Sequence, residues 1–405
     1  MNYYEQRSRS NRANFLRRVG AGGALLGVPG LLAACGGSGI EGGDSDTGAA
    51  PAATGATGAA PATTAVPQVL ADKLVFSNWP LYIDVDDKTG SRPSLDDFTK
   101  QTGVKVDYIE EINSNEEFYG KVQAQLSQGK GIDRDLMVLT NFMAARMVEK
   151  KFLEPLDKGA IPNFKNVDPT IASPTWDPDR TYSIPWQSGF TGLAYDPEKT
   201  GKDLTSVDDL LDPKLKGKFT LLNALGDTLG LIMLQDGVDP TTVSKEQFDA
   251  AMKKLDVLAK NARGFTGNEY APMLAKGDIW AAFGWSGDVA QIQLDHPGLK
   301  FAIPEAGGMV WTDNLLIPLG GDVFTASTYI NYVYDPAVAA KIEAYVNYIS
   351  PVVGADVEMK KIDPDIASNP LIFPPADWLA RVKAFDVEAE NNEEYKQIFA
   401  EVTGV

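Results

Sequence analysis

"EAGGMVWTDNLLIP", residues 305–318, enters through Gly307-Gly308 and then reads as a β-strand. Side chains alternate faces along a strand, so Trp311, Asp313 and Leu315 share one side while Val310, Thr312 and Asn314 share the other. An aspartate beside a tryptophan on an apolar strand is costly to bury unless something pairs with it. That partner is either a backbone group or arginine of the chain itself, or a cation that arrives from outside.

Outward from this strand, short apolar runs alternate with amphipathic ones. "KLVFSNW", "VKVDYIE", "DLMVLT", "KFTLLN", "WAAFGW" and "KFAIP" read as strands, and "TYSIPWQSGFTGLAYDP" as two strands broken at Ser188-Gly189. "SLDDFTKQTG" predicts a short helix from Ser94. In "SNEEFYGKVQAQLSQG", Ser114 stands three before Glu117, a capping-box start, with Phe118, Val122 and Leu126 at helical spacing. "NFMAARMVEKKF" follows a Thr/Asn cap, Ser244 and Gln247 cap "SKEQFDAAMKKLDVLAKNARG", and Pro336 opens "AVAAKIEAYVNYI". The alternation predicts an α/β protein rich in parallel strands. At 405 residues, two lobes are expected rather than one core.

Composition excludes several functions. The 55 acidic against 37 basic residues give a formal net charge of −18, which argues against a nucleic-acid partner and mildly favours cationic ones. One cysteine, Cys35, and one histidine, His296, rule out an internal disulfide and leave little from which to build a Cys/His zinc site or a His-based triad. His296 lies in the turn-like "LDHPG". No cofactor or metal is expected, and the enzyme class is disfavoured; only all-carboxylate chemistry is left to it.

The first 35 residues read as a targeting segment: basic "RSRSNRANFLRR", then apolar, glycine-rich "VGAGGALLGVPGLLAAC", too short for a comfortable membrane span. "LAAC" at Leu32–Cys35, followed by Gly36, resembles the lipobox of bacterial lipoproteins, which implies cleavage before Cys35 and a lipid on its sulfur. "NRANFLRR" resembles a degraded twin-arginine signal in which Ala13 replaces an arginine, so Sec and Tat export both stay open. Residues 36–73 are rich in Gly, Ala, Thr and Pro. They are expected to form a disordered tether, because such a segment buries too little apolar surface to offset its ordering entropy. A coil of that length reaches roughly 30–35 Å. The folded body is expected to begin near Leu74.

Open α/β sheets bind ligands beyond the carboxyl ends of their strands. Trp79 and Tyr82, Thr140 and Phe142, Asn223 and Asp227, and Trp285 and Asp288 all follow strand ends, with Trp311 and Asp313 added. Taken one by one, Asp288 and Asn223 read as helix caps, Asp227 as a first-turn acid, and Trp186 as hinge packing or ligand contact. Caps do not explain three tryptophans at strand ends. Aromatic walls with a few carboxylates suit an alkyl-ammonium, whose cation–π contacts are worth about 0.5–2 kcal/mol and whose N–H groups donate charge-assisted hydrogen bonds to carboxylates.

These segments resemble the extracellular solute-binding proteins of ABC importers, and among them the spermidine/putrescine-binding family. The likeness lies in "FSNWPLYID", "QTGVKVDY", "NEEFYGKV", "LEPLDK", "YSIPWQSGFTGLAYD", "DDLLDPKLKGKFTLLN", "GDIWAAFGWSGD" and "GGMVWTDNLLIP", spread over nearly all of 74–405. It implies a type II periplasmic-binding-protein fold, two α/β lobes with a hinged ligand cleft. Lobe 1 would take 74–189 with 312–358 returning to it, and lobe 2 would take 190–311 with most of 359–405. By the same resemblance Trp79, Tyr82, Trp285 and Trp311 enclose a polyamine, Asp313 binds an ammonium, Asp227 is a nearby acid, Thr140 stands for a serine and Phe142 for a tyrosine. The implied role is a monomeric, Cys35-anchored lipoprotein outside the cell membrane that hands putrescine or spermidine to a permease and its ATPase.

Three departures stand out. Ala224 occupies a position where the resemblance implies an acid, Leu81 replaces a polar residue, and the expected tyrosine near "YISPVV" finds no match, Ser350 being nearest. Another organic cation, a sugar or an amino-acid-like cargo therefore stays open, with Asn78, Asn141, Asn223 and Gln187 available to a sugar. A carboxylate-based hydrolase would need two acids about 5–9.5 Å apart across a cleft. A receptor or adhesin without transport is a third alternative.

Overall fold

The computed structural model describes residues 68–86 and 88–404. The expected targeting segment, Cys35 and the expected tether up to residue 67 lie outside the described residues. The chain is already packed ahead of Leu74: the Ala71 N–H donates to Thr325 Oγ1 at 2.9 Å.

Ten strands are described: β1 (Lys73–Asn78), β2 (Lys105–Glu110), β3 (Leu136–Thr140), β4 (Ser183–Tyr195), β5 (Phe219–Leu222), β6 (Gly264–Thr266), β7 (Ala281–Trp285), β8 (Lys300–Ala302), β9 (Gly308–Leu316) and β10 (Val382–Lys383). The main path runs β2-β1-β3-β9-β4-β7-β5-β6, with β10 on β9 and β8 on β4. β1 pairs in parallel with β2 and β3, and β5 with β6 and β7. Between these sets, β4 and β9 run antiparallel to each other and to their outer neighbours β7 and β3. The expectation of a parallel-rich sheet thus holds on the flanks and fails at the centre, where two long strands join the halves.

The "SIPWQSGFTGLAY" stretch is one 13-residue strand, buried throughout, and not two. Its irregularity falls between Pro185 and Gln187, where Trp186 is the extra residue. A bulge tolerates the missing proline N–H without ending the ladder. Gly189, expected as a breaker, serves close approach instead, because a Cβ there would lie 2.4 Å from the Trp311 ring.

The helices of seven or more residues are α1 (Pro93–Thr102), α2 (Asn115–Leu126), α3 (Asn141–Glu149), α4 (Leu225–Gln235), α5 (Lys245–Ala259), α6 (Tyr270–Lys276), α7 (Ser286–Gln293), α8 (Val323–Val333), α9 (Pro336–Val346), α10 (Ala355–Ile362) and α11 (Glu393–Thr403). Ser244 and Gln247 form the expected reciprocal capping box on α5. Ser114 caps α2 through the Glu117 N–H alone.

Hydrophobic cores form on both sides of the central strands. One gathers residues between Leu193 and Met309 with Leu371–Phe399. Two others gather residues between Leu74 and Trp186 with Leu315–Ala355. Trp285 packs against cores of both halves. Among the described residues no helix is long and apolar enough to cross a membrane.

Candidate functional site

The site lies where β3, β7 and β9 end or cross. Asp313, 6% exposed, is paired in register with Thr140 of β3 on one side and Gln187 of β4 on the other. Thr140 is the residue before α3, yet its hydroxyl does not cap that helix. Asn115 Nδ2 donates to Thr140 Oγ1 at 2.9 Å, so the hydroxyl's own proton goes to Asp313 Oδ1 at 2.6 Å. Asn115 Oδ1 also accepts the Thr140 N–H at 3.0 Å, which fixes the pair.

The second partner comes from the loop after β1. Leu81 has a left-handed φ of 60°, a conformation costly for a branched side chain. This turn follows Trp79 and precedes Tyr82, whose OH donates to Asp313 Oδ2 at 2.7 Å. Asp313 thus accepts two hydroxyl bonds, neither from the backbone nor from an arginine. Burial pushes its carboxyl up to about 6, against the lowering effect of Thr140 and Tyr82, and the charge of Asp227 raises it further.

Asp227, in the first turn of α4, is not a solvated acid. It accepts from Thr191 Oγ1 of β4 at 2.6 Å and from the Trp285 indole N–H at 3.0 Å. Burial raises its pKa. The Trp285 ring meets Tyr270 edge-on with centroids 6.0 Å apart.

Asp288, read from sequence as a helix cap, is not one: α7 follows Trp285 with no side-chain cap. Asp288 accepts from Tyr270 OH at 2.9 Å and from Tyr348 OH at 2.8 Å. The Tyr270 oxygen already accepts the Trp285 N–H at 2.7 Å, which leaves its proton for the aspartate. Asn223 caps nothing either, since Ala224 precedes α4 without a side-chain bond.

Tyr348 is the aromatic residue missed in "YISPVV". Asn347, in left-handed conformation, ends α9, and Ile349 then pairs with Ser188 of β4 through two backbone hydrogen bonds. This holds the Tyr348 ring 5.3 Å from Trp311 and 5.7 Å from Tyr82, both edge-on. Trp186 faces the core against Phe76, so packing is its role.

The structure brings Tyr82, Thr140 and Asp313 into direct contact, joins Asp227 to Trp285, and links Trp311 to the first group through Tyr348. Trp79 lies at the edge of the first-half cores with its indole N–H on the Val138 carbonyl at 3.1 Å. Phe142 packs on the first-half core, and its carbonyl accepts from Asn391. Cys35 lies outside the described residues. His296 sits in the turn after α7.

Sequence reading also missed Glu390. Its carboxylate lies on Gly226 of α4, where a Cβ would come within 2.7 Å of Oε1. The Gly226 N–H donates to it, while burial and the charge of Asp227 push it up to about 8. Its stretch, "VEAENNEE", looks like solvated charge. The hydrogen bonds to these four carboxylates come from hydroxyl, indole and backbone N–H donors, and among the described residues none comes from a lysine or arginine. Among the described residues, no cluster of His, Cys, Asp and Glu could hold a metal ion.

Three comparisons bear on this arrangement. The family model described as bacterial extracellular solute-binding protein matches residues 94–374. The chain is 28% identical to the spermidine/putrescine-binding periplasmic protein 1 of Haemophilus influenzae, over 76% of this chain and 84% of that protein. It is 30% identical to the putrescine-binding periplasmic protein PotF of Escherichia coli, over 78% and 86%. Among solved structures, a putative spermidine/putrescine ABC transporter from Listeria monocytogenes superposes with a TM-score of 0.71 at 28% identity, covering 82% of this chain and 99% of that one.

Proposed function

The chain belongs to the bacterial extracellular solute-binding proteins, and from that premise we propose that it captures a polyamine, putrescine or spermidine, outside the membrane and passes it to an ABC permease. One observation carries the reading: Asp313 is buried and Asp227, Asp288 and Glu390 are half-buried, the three aspartates hydrogen-bonded to Tyr82, Trp285 and Tyr348, and among the described residues no lysine or arginine is hydrogen-bonded to any of the four. Buried carboxylates without a counter-charge are costly. An alkyl-ammonium supplies the charge, and its methylenes suit the flat rings.

The remaining parts fit one machine. The first lobe would span 74–189 with 312–358 and the second 190–311 with 359–405, and β4 and β9 would act as the hinge on which they close. Trp79, Tyr82, Thr140, Phe142, Asp227, Trp285, Trp311 and Asp313 would line the cleft, joined by Asp288 and Tyr348. The segment 1–35 would direct export and Cys35 carry the lipid. The protein would work as a monomer, beside a permease and its ATPase, and perform no chemistry on its cargo. Calorimetry of the purified protein with putrescine, spermidine, spermine and unrelated sugars tests the cargo: micromolar or tighter polyamine binding is expected, and silence with every polyamine sinks the assignment. Replacing Cys35 by serine should release the protein from the membrane fraction.

A further inference from the structure

Ala224, where the resemblance implies an acid, immediately precedes α4, and Glu390 stands beside that same helix start. Glu390 ends the single turn Val387–Glu390, whose Asp386 side chain accepts the Glu388 and Ala389 N–H groups. Asp386 also ties the turn to the second half, its N–H donating to the Pro240 carbonyl at 2.8 Å and its Oδ2 accepting the Val243 N–H at 2.8 Å. The next residue, Asn391, reaches the first half: it donates to the Phe142 carbonyl at 2.8 Å and accepts from Arg146 Nε at 3.0 Å. Glu390 is thus held from both sides of the molecule.

Among the described residues, no lysine or arginine is hydrogen-bonded to its carboxylate. Arg146, whose charge acts on Glu390, directs its guanidinium to Glu116, Asn391 and Glu393. Glu390 meets Gly226, the neighbour of Asp227 at the start of α4, and the charge of Asp227 raises both Glu390 and Asp313. We infer that Glu390 supplies, with Asp227, the anchor for a second ammonium, so that the cleft selects ligands carrying two cationic groups over those carrying one. This inference rests on the amine-binding reading. The alternative role is a purely structural cap on the orphan Gly226 N–H at the start of α4.

Glu390→Gln separates the two roles. An amide oxygen still accepts the Gly226 N–H, so the cap survives while the charge does not. Calorimetry on the full chain should show putrescine affinity falling about tenfold in Glu390→Gln, the scale of one charge-assisted hydrogen bond, with n-butylamine affinity unchanged. Asp313→Asn should weaken both. A second readout is proton linkage. The groups facing Glu390 are Asp227 and the Gly226 N–H of α4, Glu116 of α2 and Arg146 of α3. Because burial and Asp227 hold this carboxyl up at about 8, an arriving ammonium should ionise it. Titrations at pH 7 in two buffers of different ionisation enthalpy should detect up to about one proton released per putrescine in the wild type and fewer in Glu390→Gln. Equal losses for both amines, or no loss with the same proton release, would overturn the inference while leaving amine binding intact. A wild-type protein that binds neither amine would overturn both.

Discussion

The two faces of β9 treat buried charge in opposite ways. Asn314 accepts Arg180 Nη1 at 2.8 Å, and the same guanidinium donates to Ser183 Oγ at 3.0 Å and to the Ala172 carbonyl at 3.2 Å. Beside it, Asp177 accepts three backbone N–H groups, of Thr181, Tyr182 and Ser183, and the Ser183 hydroxyl. Both charges are almost fully buried, and both are satisfied by the chain. One residue earlier, on the other face, Asp313 is as deeply buried but has only two neutral hydroxyl donors. A charge completed by the chain is part of the fold, and a charge left without its opposite is an address for something else.

That contrast breaks if the two faces respond alike to substitution. The largest effect should come from Arg180→Met, which removes the donor to Asn314 and Ser183 and the positive charge beside Asp177. Urea unfolding should show a loss of about 3–5 kcal/mol, the usual cost of removing one member of a buried charged set, whatever its effect on binding. Asp313→Asn should do the reverse. Its unfolding free energy should stay within about 1 kcal/mol of the wild type or rise, while putrescine affinity in calorimetry falls about a hundredfold or more. Destabilisation of Asp313→Asn comparable to that of Arg180→Met would mean that Asp313 belongs to the fold.

The pH dependence sharpens the comparison. Asp313 is held at about 6 when folded, above the value near 3.9 of an unfolded aspartate. A carboxyl raised by folding binds its proton more tightly in the folded state, so its contribution to stability is present in acid and lost as pH rises through the folded value. The ligand-free protein should therefore lose on the order of 2 kcal/mol of stability from this group between pH 4 and pH 7. Asp313→Asn should remove that slope, which unfolding curves at several pH values would reveal as a variant gaining on the wild type as pH rises. A smaller effect is expected of Trp285→Phe, which keeps a ring but deletes the 3.0 Å indole bond to Asp227. Its putrescine affinity should fall about five- to tenfold, as for one hydrogen bond to a charged group; no change in calorimetry would remove Trp285 from the site.

Much of this was legible in residue order. Alternation along "MVWTDNLL" put Trp311 and Asp313 on one face, and strand ends marked Thr140, Asp227 and Trp285. What stayed hidden shares a physical cause: local signals that serve two purposes look the same in sequence. Asp288 stands third after Trp285, where a first-turn helix acid would stand, and only the positions of Tyr270 and Tyr348 distinguish the two uses. Tyr348 is brought in by a backbone bridge between Ile349 and Ser188, a pairing that no periodicity announces. Pro185 and Gly189 read as breaks in β4 because both usually are; a bulge absorbed the first, and the Trp311 ring required the second. Glu390 sits in an acidic run more than 160 residues from Gly226, and nothing local distinguishes it from its solvated neighbours.

The central claim is that the cleft is completed by positive charge, and the most direct test titrates the wild-type protein with putrescine and with 1,4-butanediol, its uncharged analogue of matched length. The account predicts micromolar or tighter binding of the diamine and none of the diol. Comparable binding of the two, or binding of neither by a folded protein, would contradict it.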